Sequence, residues 1–208
     1  MQILLSLPSN LAPHFAELEN KPPPEWIAGC DPPGLPLGSG GGMANLLVQA
    51  WQQTGAGLAF GTWLRASQKL LLNSGGESRR LPAYAATGKT LLPIPVFRWA
   101  QGQRLDQTLL DLQLPQSRSL LEQSPPRIVA LVTCGDVLIR SMGPLPPLPD
   151  VDVLCVGLWV APEAASQHGV FFCSPGSPDH LEFVLQKPSP EQIRALANEH
   201  LFLIDTGA

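Results

Sequence analysis

The chain has 208 residues, 44% hydrophobic and 14% charged, which is enough apolar material for one substantial core. Its net charge of −4 argues against nucleic acid as a partner, since that surface needs a dense cationic face. No apolar run reaches the roughly 18 residues that cross a membrane, and Met1–Leu7 is too short for a signal peptide, so a cytoplasmic protein is expected.

In chain order, residues 8–42 are rich in Pro and Gly and read as an extended lead-in ending in Gly38-Ser39-Gly40-Gly41-Gly42. Met43–Thr54 has apolar residues at helical spacing, and Lys69–Leu72 is a short apolar strand running into Ser74-Gly75-Gly76. Leu105–Glu122 predicts a helix interrupted near Pro115. The run Ile128–Thr133 has the pattern of a strand buried on both faces. Strands are expected at Val153–Val160, Val170–Cys173, Phe183–Leu185 and Leu201–Ile204. A helix capped by Ser189, with Pro190 in its first turn, is expected to run to about His200. Strands alternating with helices predict an α/β sandwich with a largely parallel sheet, residues 1–208 forming one domain. The four cysteines, Cys30, Cys134, Cys155 and Cys173, are widely spaced beside apolar stretches and are expected as thiols, not as zinc ligands or a disulfide framework.

The most informative stretch is Leu70–Lys89. A hydrophobic strand delivers Gly75-Gly76, then Arg79-Arg80, then Lys89. Glycines let backbone N–H groups approach an anion closely, and the cations neutralise it. A solvated basic turn explains any one of these residues, whereas the assembly points to a polyphosphate. Within it, Ala83–Thr90 matches a loose P-loop, but Leu91-Leu92-Pro93-Ile94-Pro95 cannot open the helix a P-loop requires, and that reading is rejected. Gly38–Gly42 is not a dinucleotide fingerprint, because Met43 stands where the third glycine belongs; it reads equally as a linker or as a loop touching phosphate or base. Asp136, after Cys134-Gly135, ends the strongest strand. A lone carboxylate there either forms a turn or holds Mg²⁺ with waters and substrate phosphates, and the cationic loop upstream favours the metal. Lys187, closing a strand, is a candidate for a sugar phosphate. His168 and Gly169 are candidates for sugar contact, against the plainer reading of strand-capping residues.

In that order the elements resemble the sugar nucleotidylyltransferases: Gly75, Gly76, Arg80, Leu81 and Lys89 match the family's glycine-arginine-lysine signature. Gly135-Asp136 matches its metal site, and Gln186-Lys187-Pro188 its Glu-Lys-Pro, with glutamine replacing the acid. The segments Leu18–Trp26, Asp31–Gly42, Gly75–Lys89, Gly135–Ser141, His168–Phe171 and Leu185–Ser189 are similar to the amino-terminal domain of bacterial fucokinase/GDP-fucose pyrophosphorylases, with Met43 where those proteins tend to carry Thr.

The resemblance implies a Rossmann-like, GT-A-like nucleotidyltransferase sandwich with a mostly parallel mixed sheet. It implies a carboxy-terminally truncated chain, continuous in the whole protein with further domains that include a sugar kinase. The implied reaction joins GTP and fucose 1-phosphate into GDP-fucose and pyrophosphate. Arg80 and Lys89 would take the triphosphate with Arg79 in support, and Gly38, Ser39, Gly40, Gly41, Gly42, Gly75 and Gly76 would line the nucleotide. Asp136 would hold Mg²⁺, and Lys187, His168 and Gly169 the sugar phosphate. A nucleotide-binding module without turnover, or a nucleotidylyltransferase for another sugar phosphate, are the alternatives.

Overall fold

Strand β1 (Gln2–Ser6) carries Ile3, Leu4 and Leu5 in succession, all fully buried, because its alternate side chains enter two separate cores. The sequence reading gave Met1–Leu7 no strand; it is a central one. The structure, a computed structural model, describes residues 1–35, 37–74, 88–94, 106–139 and 147–207, and divides into units Met1–Asp152 and Val153–Ala208.

In the first unit, β1 is followed by a short 3-10 turn (Ala12–His14), α1 (Phe15–Leu18), β2 (Trp26–Gly29), α2 (Gly38–Thr54), α3 (Phe60–Ala66), β3 (Lys69–Asn73), α4 (Leu109–Glu122) and β4 (Ala130–Cys134). The four strands pair in parallel in the order β2-β1-β3-β4. Ile3, Leu5, Leu70 and Leu72 pack with Phe15 of α1 and with Leu110 and Leu121 of α4. Leu4, Ile27 and Leu71 pack with Met43, Leu46 and Ala50 of α2 and Trp63 of α3. The parallel sheet is thus covered on both faces, as crossover connections require. Each fully buried Leu or Ile contributes about 1.5–3 kcal/mol of transfer free energy.

Two expectations need correction here. Helix α4 runs through Pro115 without interruption. A capping box, with Thr108 Oγ1 accepting from Asp111 N and Asp111 Oδ2 accepting from Thr108 N, secures its start, and Leu110 and Leu121 are fully buried. That anchoring outweighs the hydrogen bond a proline removes. Strand β4 is not buried on both faces: Val132 is 46% exposed, and among the described residues the strand is paired on one side only.

Helix α2 begins at Gly38, not after the glycine run, so Gly38-Ser39-Gly40-Gly41-Gly42 form its first turns. Glycine is a poor helix former, but Asp31 Oδ2 accepts the Leu37 N–H at 3.0 Å at this end. Further along, Asn45 and Gln49 both donate side-chain amides to Cys30 O.

The second unit contains β5 (Gly157–Leu158), α5 (Pro162–Ala165), β6 (Gly169–Ser174), β7 (Ser177–Gln186), α6 (Pro190–Leu196) and β8 (Leu201–Asp205). Its sheet, in the order β5-β8-β6-β7, is antiparallel throughout. The expected single, mostly parallel mixed sheet is therefore replaced by one parallel and one antiparallel sheet. Ser174–Ser177 closes a hairpin between β6 and β7, and a turn that short joins only antiparallel strands. Strand β7 is much longer than the expected Phe183–Leu185, since its amino-terminal half is exposed and polar; β5 is much shorter than Val153–Val160. Ser189 caps α6 as expected, accepting from Gln192 N, but the helix ends at Leu196. Val170, Phe172, Ala165 and Ile193 form this unit's core. No described helix is long and apolar enough to cross a membrane.

Candidate functional site

In the order β2-β1-β3-β4 the chain steps outward from β1 in opposite directions, so the crevice between β1 and β3 is the switch point where open parallel sheets take ligands, beyond the strands' carboxyl ends. Residues 88–90 lie across this edge. Gly88, at φ 70°, adopts a left-handed conformation that side chains disfavour, and a Cβ on it would sit 3.3 Å from Pro8 Cδ, beyond the end of β1. Thr90, fully buried, donates its hydroxyl to Gly135 O at 3.3 Å, beyond the end of β4. Between them Lys89 Nζ reaches Asp136 Oδ2 at 2.7 Å. Two residues 47 positions apart, singled out separately in the sequence, are thus brought together.

Gly135 is fixed by contact rather than by torsion. A Cβ there would lie 1.9 Å from Ser74 Oγ and 2.3 Å from Thr90 Oγ1, so only glycine lets the β3 and β4 ends and residue 90 converge. Its N–H donates to Asn73 O at 2.9 Å. Ser74 Oγ is itself buried, without a hydrogen-bond partner among the described residues.

The Lys89–Asp136 pair is open to solvent, with side chains 38% and 44% exposed. Exposed pairs of this kind contribute about 0–1 kcal/mol, so either partner can be drawn away by a stronger ligand at little cost. Among the described residues no group of three or more His, Cys, Asp or Glu side chains forms a metal cage. One accessible carboxylate does fit Mg²⁺, which keeps waters and takes most of its remaining ligands from substrate phosphates.

The glycines of α2 offer something different. Gly38–Gly41 are exposed, but the Asp31 carboxylate already occupies the helix start, and its Oδ1 faces Gly42 closely enough that a Cβ there would lie 3.2 Å away. A carboxylate at a helix N-terminus satisfies the partial positive charge that would otherwise attract phosphate.

Gly75, Gly76, Arg79 and Arg80 lie outside the described residues. Their described neighbours, Ser74 and Gly88, both stand at the carboxyl edge. Helix does not follow Thr90: Pro93 bridges Thr108 instead, which agrees with rejecting a P-loop.

In the second unit, His168, Gly169 and Lys187 converge. Gly169 pairs with Gln186 in the β6–β7 register, and Lys187 N donates to His168 O at 2.9 Å. Lys187 has φ 49°, an uncommon conformation for a residue with a side chain. Both Lys187 and His168 are exposed.

Sequence reasoning missed Thr90 and Gln113. Thr90 was visible only as the last residue of the rejected P-loop. Gln113, 5% exposed, lies three residues from the buried Leu110 of α4, and a polar residue on that apolar stripe was the available signal. Its Nε2 donates to Cys134 O at 3.2 Å and to Val137 O, bracketing Asp136.

These features define an α/β protein whose opposed charges and glycine close approach gather where a parallel sheet receives ligands. Residues 61–208 match the fucose pyrophosphorylase domain, and the chain belongs to that family. It is 48% identical over 207 residues to an L-fucokinase/L-fucose-1-P guanylyltransferase of Bacteroides fragilis, an alignment covering 100% of this chain and 22% of that protein. The chain therefore spans about a fifth of that relative's length.

Proposed function

We propose that this chain supplies the nucleotide-binding part of a fucose-1-phosphate guanylyltransferase, a Rossmann-like nucleotidyltransferase acting in the cytoplasm within a longer protein that also carries a sugar kinase. The reading is carried by the Lys89–Asp136 juxtaposition at the carboxyl edge of the parallel sheet, beside its switch point, in a chain of this family.

In the reaction, a phosphate oxygen of fucose 1-phosphate attacks the α-phosphorus of GTP in line. The bond from that phosphorus to the β-phosphate's bridging oxygen breaks, and pyrophosphate leaves with the electron pair. The attacking phosphate is already anionic, so no general base is needed, and catalysis is positioning and charge neutralisation. Lys89 leaves its weak pairing with Asp136 to meet the triphosphate, where Arg80 joins it, with Arg79 in support. Gly75 and Gly76 admit the phosphates close to the backbone. Asp136 would hold Mg²⁺, whose contribution is to neutralise charge on the triphosphate and the leaving pyrophosphate.

With Asp31 at the start of α2, residues Gly38–Gly42 suit the base or ribose better than a phosphate. Lys187, an exposed cation fixed at a strand end, takes the sugar phosphate, with His168 and Gly169 beside it.

The test is product formation by the full-length protein given GTP and fucose 1-phosphate with Mg²⁺, GDP-fucose and pyrophosphate being quantified together. Stoichiometric release of both, with GTP preferred over ATP and UTP, is the expected result. Saturable GTP binding without pyrophosphate release would instead mark a binding module, and release with a different hexose 1-phosphate would reassign the sugar.

A further inference from the structure

Lys89 and Asp136 come from different segments, yet one helix grips both. The first two amides of α4 have no partner within the helix. Leu109 N donates to Leu92 O at 2.9 Å and Leu110 N to Thr90 O at 2.8 Å, which fixes the segment following Lys89. One turn further on, the buried Gln113 side chain crosses to the other segment. Its amide nitrogen donates to Cys134 O at 3.2 Å and to Val137 O, the carbonyls on either side of Gly135-Asp136. Thr90 Oγ1, donating to Gly135 O, joins the two segments directly.

An amide that bridges two carbonyls three residues apart does more than fill space. It sets the curvature of the turn between them, and so the direction in which the carboxylate between them points. Asp136 is more than a third exposed and makes no described contact with the sheet through its side chain besides Lys89, so the backbone of its turn decides where it sits. Gln113 Oε1 is buried with no described partner. Burying an unpaired polar atom is costly, so packing alone would be better served by an apolar residue here.

We propose that Gln113 is a positioning residue of the nucleotide site, bracketing the Cys134–Val137 turn so that Asp136 faces the same point as Lys89, with α4 as the shared jig. This rests on the reading of Asp136 as the metal-holding carboxylate, and the experiment separates the two.

GTP affinity of the full-length protein is measured by calorimetry without divalent cation and at saturating Mg²⁺, the ratio being the gain due to the metal, for wild type, Asp136→Asn, Gln113→Met and Gln113→His. Thermal unfolding of each is recorded alongside. Asp136→Asn is expected to abolish the gain. Gln113→Met, which keeps volume but not the donors, is expected to cut the gain at least fivefold while the metal-free affinity stays within about twofold, since the α4 amides still hold Thr90 O and Leu92 O, just after Lys89. Gln113→His places a ring N–H at similar reach and is expected to recover part of the loss. A wild-type gain in Gln113→Met overturns the proposal whatever the melting temperature; should Gln113→Met not fold, Gln113→Leu, which also lacks the donors, is measured in its place and overturns it by the same result. A wild-type gain in Asp136→Asn overturns the metal reading, and the proposal with it.

Discussion

Lys89 Nζ stands 2.7 Å from Asp136 Oδ2, with both side chains more than a third exposed, so the two charges neutralise each other without burying either. A cation meant for phosphate and a carboxylate meant for Mg²⁺ can wait in that arrangement. Each has a stronger partner in the proposed reaction, and the pair itself costs about 0–1 kcal/mol to open.

Lys89→Ala and Asp136→Asn therefore should separate activity from stability. Removing one preorganised charged contact to the transition state typically costs about 3 kcal/mol, roughly a hundredfold in rate, while folding stability should change by less than about 1 kcal/mol. Guanylyl transfer rates and urea unfolding of the same preparations give both values. A full rate with reduced stability would make the pair a structural tie only.

Gly135→Ala should do the reverse first. Its methyl would lie 1.9 Å from Ser74 Oγ and 2.3 Å from Thr90 Oγ1, and both Ser74, just past the end of β3, and Thr90 are buried. Overpacking of this kind costs about 1–3 kcal/mol, and here the strain falls on the backbone carrying Asp136. A lowered denaturation midpoint together with weakened Mg²⁺ dependence is the expected outcome. Wild-type behaviour in both would mean that the Ser74 and Thr90 hydroxyls turn aside to admit the methyl without moving the Asp136 backbone.

How far the sequence reached depends on where its signals were local. The glycine-flanked cations and Gly135-Asp136 announce charge chemistry by residue type, and the carboxyl end of a strand is their natural location. Lys187, His168 and Gly169 sat at strand ends and do converge there. By contrast β1 looked like a mere apolar stub at the chain start, because a strand buried on both faces has no alternation to show. Pro115 broke the helix on paper, since the packing of Leu110 and Leu121 that overrides it is not a local property. The antiparallel pairing of β6 with β7 depended on a tight turn at Pro175-Gly176, and the polar outer half of β7 hid that strand's length. Gln113 showed only as a polar residue on an apolar stripe, and its role stayed hidden for a similar reason: its partners are backbone carbonyls 21 and 24 residues away.

Lys69 offers a test of electrostatics away from the site. The side chain is fully buried at the start of β3, its ammonium 4.5 Å from the Trp63 ring centroid and donating to Trp63 O, Leu64 O and Ser67 O at the end of α3. Burial pushes its pKa down to about 8 from the ordinary 10.5. Because the folded value is depressed, the unfolded chain binds more protons between these two pH values, and stability rises with pH across that window. The full gain corresponds to at most about 3 kcal/mol. Wild type should therefore gain stability relative to Lys69→Met between pH 8 and 10, read from urea midpoints at pH 7, 8.5 and 10. A relative loss over that range would show that the carbonyl cage and Trp63 favour the charged form more than burial opposes it.

Lys187 holds a left-handed backbone, φ 49°, with its N–H donating to His168 O, so its side chain and its main chain make separable contributions. A non-glycine residue in that region carries about 1 kcal/mol of strain that glycine does not. Lys187→Gly relieves the strain while removing the charge, and Lys187→Ala removes the charge alone. If the cation holds the sugar phosphate, both variants should raise KM for fucose 1-phosphate by about tenfold or more and leave KM for GTP nearly unchanged, while the glycine variant unfolds at an equal or higher urea concentration than the alanine one. Equal KM values for wild type and Lys187→Ala would remove the residue from the substrate site and leave its conformation as a feature of the β7–α6 turn. A KM increase confined to the glycine variant would instead assign the effect to loss of a fixed backbone, since glycine is the substitution that loosens the turn.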